Sequence, residues 1–109
     1  MSVTSWVEDR IYVGGQWRKG RGVLSESLFP ADQSVNARIH AADVSDVEEA
    51  VDAGERAWRA SSWRDRLPHE RAAVLHRVAE LIAARREDLA RLQTRDNGKP
   101  LAETRALVD

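Results

Sequence analysis

Two histidines, His69 and His76, lie seven residues apart on a stretch with helical periodicity. Seven residues is two turns, whereas paired metal ligands on a helix need about one. Gly98-Lys99 has the end of a phosphate-binding loop, but Gln93 stands where the first glycine belongs and Pro100 where the magnesium-binding hydroxyl belongs. Gly20-Arg21-Gly22 offers two glycines of a dinucleotide fingerprint; Ser25 occupies the third position and no helix pattern follows. No serine has a histidine and a carboxylate in a recognisable nucleophile setting. Arg56, Arg59, Arg64, Arg66 and Arg71 interleave with Trp58 and Trp63, the pattern of a single-strand nucleic-acid surface. Glu55, Asp65 and Glu70 neutralise much of that run, so a solvated helix end with local ion pairs is the expectation.

The sequence of 109 residues contains no cysteine, which removes disulfides, thiolate metal sites and a cysteine nucleophile from these residues. Seventeen basic against eighteen acidic residues leave a net charge of −1. Neither nucleic acid nor a membrane is the expected partner. Met1 to Arg10 lacks a secretory pattern and no long apolar run occurs, so a cytoplasmic location is expected. The length suits one small domain.

Residues 1–9 read as a loose terminus, with Trp6 as an anchor. Residues 10–43 read as short antiparallel strands and turns, and residues 44–109 as the helical part. Arg10 to Val13 and Gln16 to Arg18 flank Gly14-Gly15, a hairpin signal because both turn positions need positive φ. Val23 to Phe29 is β-friendly and ends in the turn Pro30-Ala31-Asp32-Gln33; Val35 to Ala41 alternates, with His40 on the solvated face. Ser45 and Glu48 suggest a capping box, followed by a stripe of Val47, Ala50, Val51, Gly54 and Trp58 that helical spacing would bury. Gly54 would permit close approach of another element. Pro68 opens a second helix running to about Thr94, with Leu75, Val78, Ile82, Leu89 and Leu92 on one stripe, Val74 and Leu81 widening it, and Arg85 as its polar interruption. Such a rod would span roughly 40 Å, long for a domain of this size. Leu101 starts a third helix that runs out at Asp109 in mid-pattern, which suggests a cut chain.

Between the last two helices, Asp96-Asn97-Gly98-Lys99-Pro100 closes one and opens the next. With Gln93, Thr94 and Arg95 it resembles the Glu-Thr-Leu-Asp-Asn-Gly-Lys-Pro segment of the NAD(P)-dependent aldehyde dehydrogenases. Two earlier stretches are similar to the same family in the right order. They are Ile11 to Trp17, like its opening strand and turn, and Pro30 to Val35 followed by Asp46 to Val51, like its Asn-Pro-Ala-Thr-Gly turn and first helix. The departures are Phe29 for Asn, Asp32-Gln33 for Thr-Gly, Gln93 for Glu and Arg95 for Leu.

The resemblance implies the N-terminal portion of an α/β enzyme with a Rossmann-like cofactor domain. In that family a cysteine attacks the aldehyde, a hydride leaves the thiohemiacetal for NAD or NADP, and a carboxylic acid is released. All of that machinery would lie beyond Asp109, so no catalytic or cofactor-binding residue is assigned here, and these residues alone are expected to be inactive. A homo-oligomer, dimer or tetramer, is also implied. So is a potassium or sodium ion at the carbonyls of Ser27 and Leu28 and the carboxylate of Asp96, where hard oxygen donors suit a hard cation. The alternative for Asp96 is a helix-end hydrogen bond. The alternative for the whole chain is a short non-catalytic helical protein that binds a larger partner.

Overall fold

The computed structural model describes residues 8–108, so the expectation for Trp6 lies outside the described residues. The element order is β1 (Ile11–Val13), β2 (Gln16–Arg18), β3 (Leu24–Leu28), β4 (Val35–His40), α1 (Val44–Arg59), α2 (Pro68–Ala84), α3 (Arg86–Asn97) and α4 (Leu101–Val108). Short antiparallel strands come first, as the sequence suggests. The helical part differs: among the described residues it contains four helices, not two long ones and the start of a third. The strands form two separate two-stranded sheets, β1 with β2 and β3 with β4.

The chain divides into two compact units. One is built from Asp9–Ser25 and Ile39–Val74. Its hairpin places Ile11 opposite Arg18, Tyr12 opposite Trp17 and Val13 opposite Gln16. The turn falls on Gly14 and Gly15, at φ +59° and +85°, angles that a side chain at both positions would resist. Across the hairpin the Tyr12 and Trp17 rings are 4.9 Å apart, an aromatic cross-strand pair. Gly20 has another reason for lacking a side chain: a Cβ there would sit 2.2 Å from the Ala41 carbonyl oxygen. Close backbone approach, not a nucleotide, explains these glycines, and the Gly22 N–H donates to the same carbonyl at 2.8 Å. His40 is half-buried, with Nδ1 3.3 Å from the Gly22 carbonyl, and not a solvated side chain as its alternation suggested.

The capping box of α1 sits two residues earlier than Ser45 and Glu48 would place it. Asp43 is the cap and accepts from the Asp46 N–H at 2.9 Å, while Asp46 accepts from the Asp43 N–H at 3.1 Å. A carboxylate satisfies these donors with a charge that also suits the positive end of the helix. Ser45 turns its hydroxyl to Asp43 instead, at 2.7 Å. The expected burial of the α1 stripe does not occur either, since Val47, Val51 and Trp58 are 56–63% exposed and a Cβ on Gly54 would meet nothing within 4 Å. What α1 buries is Asp46, because the side chains that close over this helix are arginines from the strand region.

The other unit is built from Glu26–Arg38 and the residues from Leu75 onward. Helix α3 ends at Gly98, whose φ of +76° is the left-handed cap the sequence calls for, its N–H donating to Thr94 at 2.9 Å. Asn97 stays helical and uses its side-chain oxygen to accept from the Lys99 N–H at 2.9 Å. Pro100 is the residue before α4, not within its first turn, and its carbonyl accepts from Glu103 and Thr104. Helices α3 and α4 pack through Ala90 and Thr104, both fully buried, with the Thr94 and Thr104 hydroxyls 2.9 Å apart. Arg105 clamps Glu87 with two bonds of 2.7 and 2.9 Å, holding the carboxyl down at about 2.

The single rod expected from Pro68 to Thr94 is two helices. Arg85, at φ −114° and ψ +16°, leaves the helical path and becomes the cap of α3. Glu87 and Asp88 in the next turn explain why a new start is favoured there, since acidic side chains are stabilised at a helix N-terminus. On α2 the side chains of Leu75, Val78, Leu81 and Ile82 are 43–63% exposed. No helix among the described residues is long and apolar enough to cross a membrane.

Candidate functional site

The residues at which the resemblance places a cation come from the end of β3 and the end of α3. The structure brings two of them within reach, with the Ser27 hydroxyl 3.5 Å from an Asp96 carboxylate oxygen. Leu28 follows Ser27 on β3 and closes the strand before the Pro30 turn. Pro30 lies directly against the helix stop: a Cβ on Gly98 would approach the Pro30 Cβ to 3.1 Å. Absence of a side chain at Gly98 thus serves both the backbone angle and this contact.

Beside these oxygens lies a cluster that chemistry-first reading of the sequence passes over. Arg95, one residue before Asp96, lays its guanidinium over the Phe29 ring at 4.4 Å. Its Nε donates to the Asn36 side-chain oxygen at 3.1 Å and its Nη2 to the Ser34 hydroxyl at 3.3 Å. Asn36 answers with its amide, which donates to the Arg95 carbonyl at 2.8 Å and to the Ser27 hydroxyl at 3.4 Å. That last bond joins the cluster to Asp96 through Ser27. The turn below is fixed by Asp32, which accepts from the Ser34 N–H at 2.9 Å. Hydrogen bonding to Ser34 holds the Asp32 carboxyl below its ordinary value, with Arg95 adding a smaller pull. Gln33 occupies the left-handed region at φ +62°, in the place where the aldehyde dehydrogenase pattern has glycine. The departures Phe29 and Arg95 were the available signal, and their mutual contact is visible only in three dimensions.

In the first unit, Asp46 gathers charge of a different kind. Only 1% exposed, it accepts from the Arg21 N–H at 2.8 Å and forms an ion pair with Arg18, whose other nitrogen reaches Glu49 at 2.6 Å. Arg21 pairs with Glu49 at 2.8 Å. The Arg21 backbone bond, then the Arg18 and Asp43 bonds, pull the Asp46 carboxyl down to about 2 despite its burial. Its oxygens are fully engaged by donors of the chain, so this network is structural.

His69 and His76 join no cluster, and among the described residues no group of three histidines and carboxylates could hold a metal ion. Three arginines of the run are drawn into local pairs: Arg59 with Glu55, Arg64 with Asp65 at 2.8 Å, and Arg66 with the Ser62 carbonyl at 3.1 Å. A groove of about 430 Å³ between hairpin and α1 is lined by Tyr12, Val13, the turn glycines, Ala53 and Arg56. It holds one charged side chain, Arg56, and no acid, base or nucleophile set.

The strand, turn and helix-stop sequence is that of a known class. A model of the aldehyde dehydrogenase family matches residues 17–109, and the chain belongs to that family, as its N-terminal segment. Among relatives, betaine aldehyde dehydrogenase 1 of Rhizobium meliloti (strain 1021) is 37% identical over 94 residues, which is 85% of this chain and 19% of that one. Betaine aldehyde dehydrogenase of Rhizobium etli is 41% identical over 83 residues, 76% of this chain and 17% of that one. The solved structure of Staphylococcus aureus betaine aldehyde dehydrogenase in complex with NAD+ superimposes with a TM-score of 0.93 at 28% identity, over 98% of this chain and 22% of that one. The chain therefore spans about a fifth of the length of these relatives.

Proposed function

We propose that this segment is the N-terminal portion of an oxidoreductase that oxidises an aldehyde to a carboxylic acid, with NAD or NADP accepting the hydride. The observation that carries the reading is the family match over residues 17–109. NAD is the first cofactor to test, because the solved relative is a complex with NAD+. Betaine aldehyde is the first substrate, because the relatives named above carry that activity in their names. These residues form the N-terminal portion of the Rossmann-like cofactor-binding domain, while the nucleophile and most of the cofactor site belong to polypeptide outside them, since they contain no cysteine. The intact enzyme works as a homo-oligomer in the cytoplasm, with neither nucleic acid nor membrane as partner.

Within this segment the assigned role is structural, with one ligand site. Ser27 and Leu28 would offer carbonyl oxygens and Asp96 a carboxylate to a potassium or sodium ion, a donor set of hard oxygens. The proximity of Ser27 to Asp96 supports that grouping.

The test is to purify the protein from its source cells, measure its intact mass, and follow NAD(P) reduction by ultraviolet absorbance over a panel headed by betaine aldehyde. A mass several times that of the 109 residues, with aldehyde-dependent reduction, is the expected result. A mass equal to 12.2 kDa with no reduction would overturn it.

A further inference from the structure

A metal ion between β3 and α3 would do one mechanical thing: tie a strand end to a helix end through a positive charge. In this chain a positive charge that cannot dissociate already makes that tie. Arg95 on α3 stacks on Phe29 just after β3, bonds Asn36 on β4 and Ser34 in the turn, and is linked through Asn36 to Ser27 and thence to Asp96. Both ends of the stack, Phe29 and Arg95, are departures from the aldehyde dehydrogenase pattern, and they touch each other. We propose that Arg95 is the determinant of monovalent-cation affinity at Ser27, Leu28 and Asp96, holding it low and taking over the cross-link.

Two physical effects act in the same direction. A fixed guanidinium near a cation site raises the local potential, and Asp32, on the turn, feels the same guanidinium only as a minor pull. The Asn36 amide also engages the Ser27 hydroxyl, so the strand end is already held and an ion has less left to organise. Leucine at this position would remove the charge and the Nε bond that steadies Asn36, while the Asn36 amide keeps its bonds to Ser27 and to the backbone carbonyl of residue 95. The inference concerns the stability of these residues and stands whether or not the longer protein oxidises aldehydes.

The experiment is thermal melting of the chain, followed by circular dichroism at constant ionic strength in potassium, sodium or tetramethylammonium chloride. Anything that binds the folded state alone raises Tm according to its affinity. Wild type is expected to shift by less than about 1 °C between salts, while Arg95→Leu melts lower in tetramethylammonium and shows a potassium affinity at least about fivefold higher. Arg95→Lys, which keeps the charge and loses the fork, is expected to melt lower and stay indifferent to the salt. A merely structural role for Arg95 would lower Tm equally in all three salts. Should Arg95→Leu not fold in tetramethylammonium, its refolding yield with added potassium gives the same reading, and no recovery counts against the proposal. Equal potassium shifts in wild type and Arg95→Leu, or none in either, would overturn it.

Discussion

The two polar clusters solve one problem with different materials. Around Asp46 the strand region meets α1 through full charges: a buried carboxylate, Arg18 and Arg21 above it, and Glu49 balancing both. Around Arg95 the β3–β4 end meets α3 through one guanidinium whose partners are an aromatic face, an amide and a hydroxyl. A buried carboxylate deprived of a partner, or donors deprived of the carboxylate, leaves uncompensated polarity; a neutral amide or ring that loses its partner leaves much less. The Asp46 cluster is therefore the brittle one, and it is also the one whose central group acid can protonate.

The largest effect should come from Asp46→Ala, which leaves the Arg21 and Asp43 amides without their acceptor and Arg18 with Glu49 as its one carboxylate partner. A fall in Tm of roughly 10 °C or more is expected, read by tryptophan emission, since Trp17, Trp58 and Trp63 all belong to this unit. The same carboxylate sets an acid limb. Its folded pKa of about 2 lies below the ordinary aspartate value near 3.9, so its stabilisation is fully present above about pH 4 and is lost as pH falls toward 2. Glu87 titrates in the same window, but it is solvent-exposed and screened by salt. In high salt, urea midpoints of wild type should fall more steeply over that window than those of Asp46→Asn, in which Asp43 and Glu49, also held low by their partners, still titrate. Equal slopes would erase the contrast between the clusters.

Substitution at two glycines sharpens the comparison on a smaller scale. Gly98→Ala forces a side chain into the left-handed region and against Pro30, so a loss of about 1–2 kcal/mol in a urea titration is expected. Gly54→Ala meets open space inside α1, and the helix-propensity difference of about 1 kcal/mol should appear as a gain in stability. If Gly54→Ala destabilised the chain, some element would have to approach α1 there after all.

What could be read in the sequence were features whose cause is local. Gly14-Gly15 must turn, Gly98 must cap, and Pro68 must open a helix, because each outcome follows from the residue's own backbone freedom. The misreadings share the opposite property. Ser45 was a chemically valid cap, but Asp43 competes for the same amides and adds charge. Arg85 broke a helix whose apolar spacing ran straight through it, because the next turn was acidic. Val47, Val51 and Trp58 have the periodicity of a buried stripe, yet periodicity records a face and not what covers it. At the candidate site, Ser27, Leu28 and Asp96 were found through resemblance alone. Arg95 became interpretable only when Phe29, 66 positions earlier in the chain, was seen beneath it.

That separation also has a kinetic meaning. The bonds between Asn36 and Arg95 bridge 59 residues, whereas Arg18 and Asp46 are 28 apart. Closing the longer loop carries the larger entropic penalty, and the chain between must exist before the contact can form. The Asp46 cluster is thus positioned to assemble first, and the Arg95 tie to act as the late latch whose closing time lengthens with any insertion between Ser61 and Ser62.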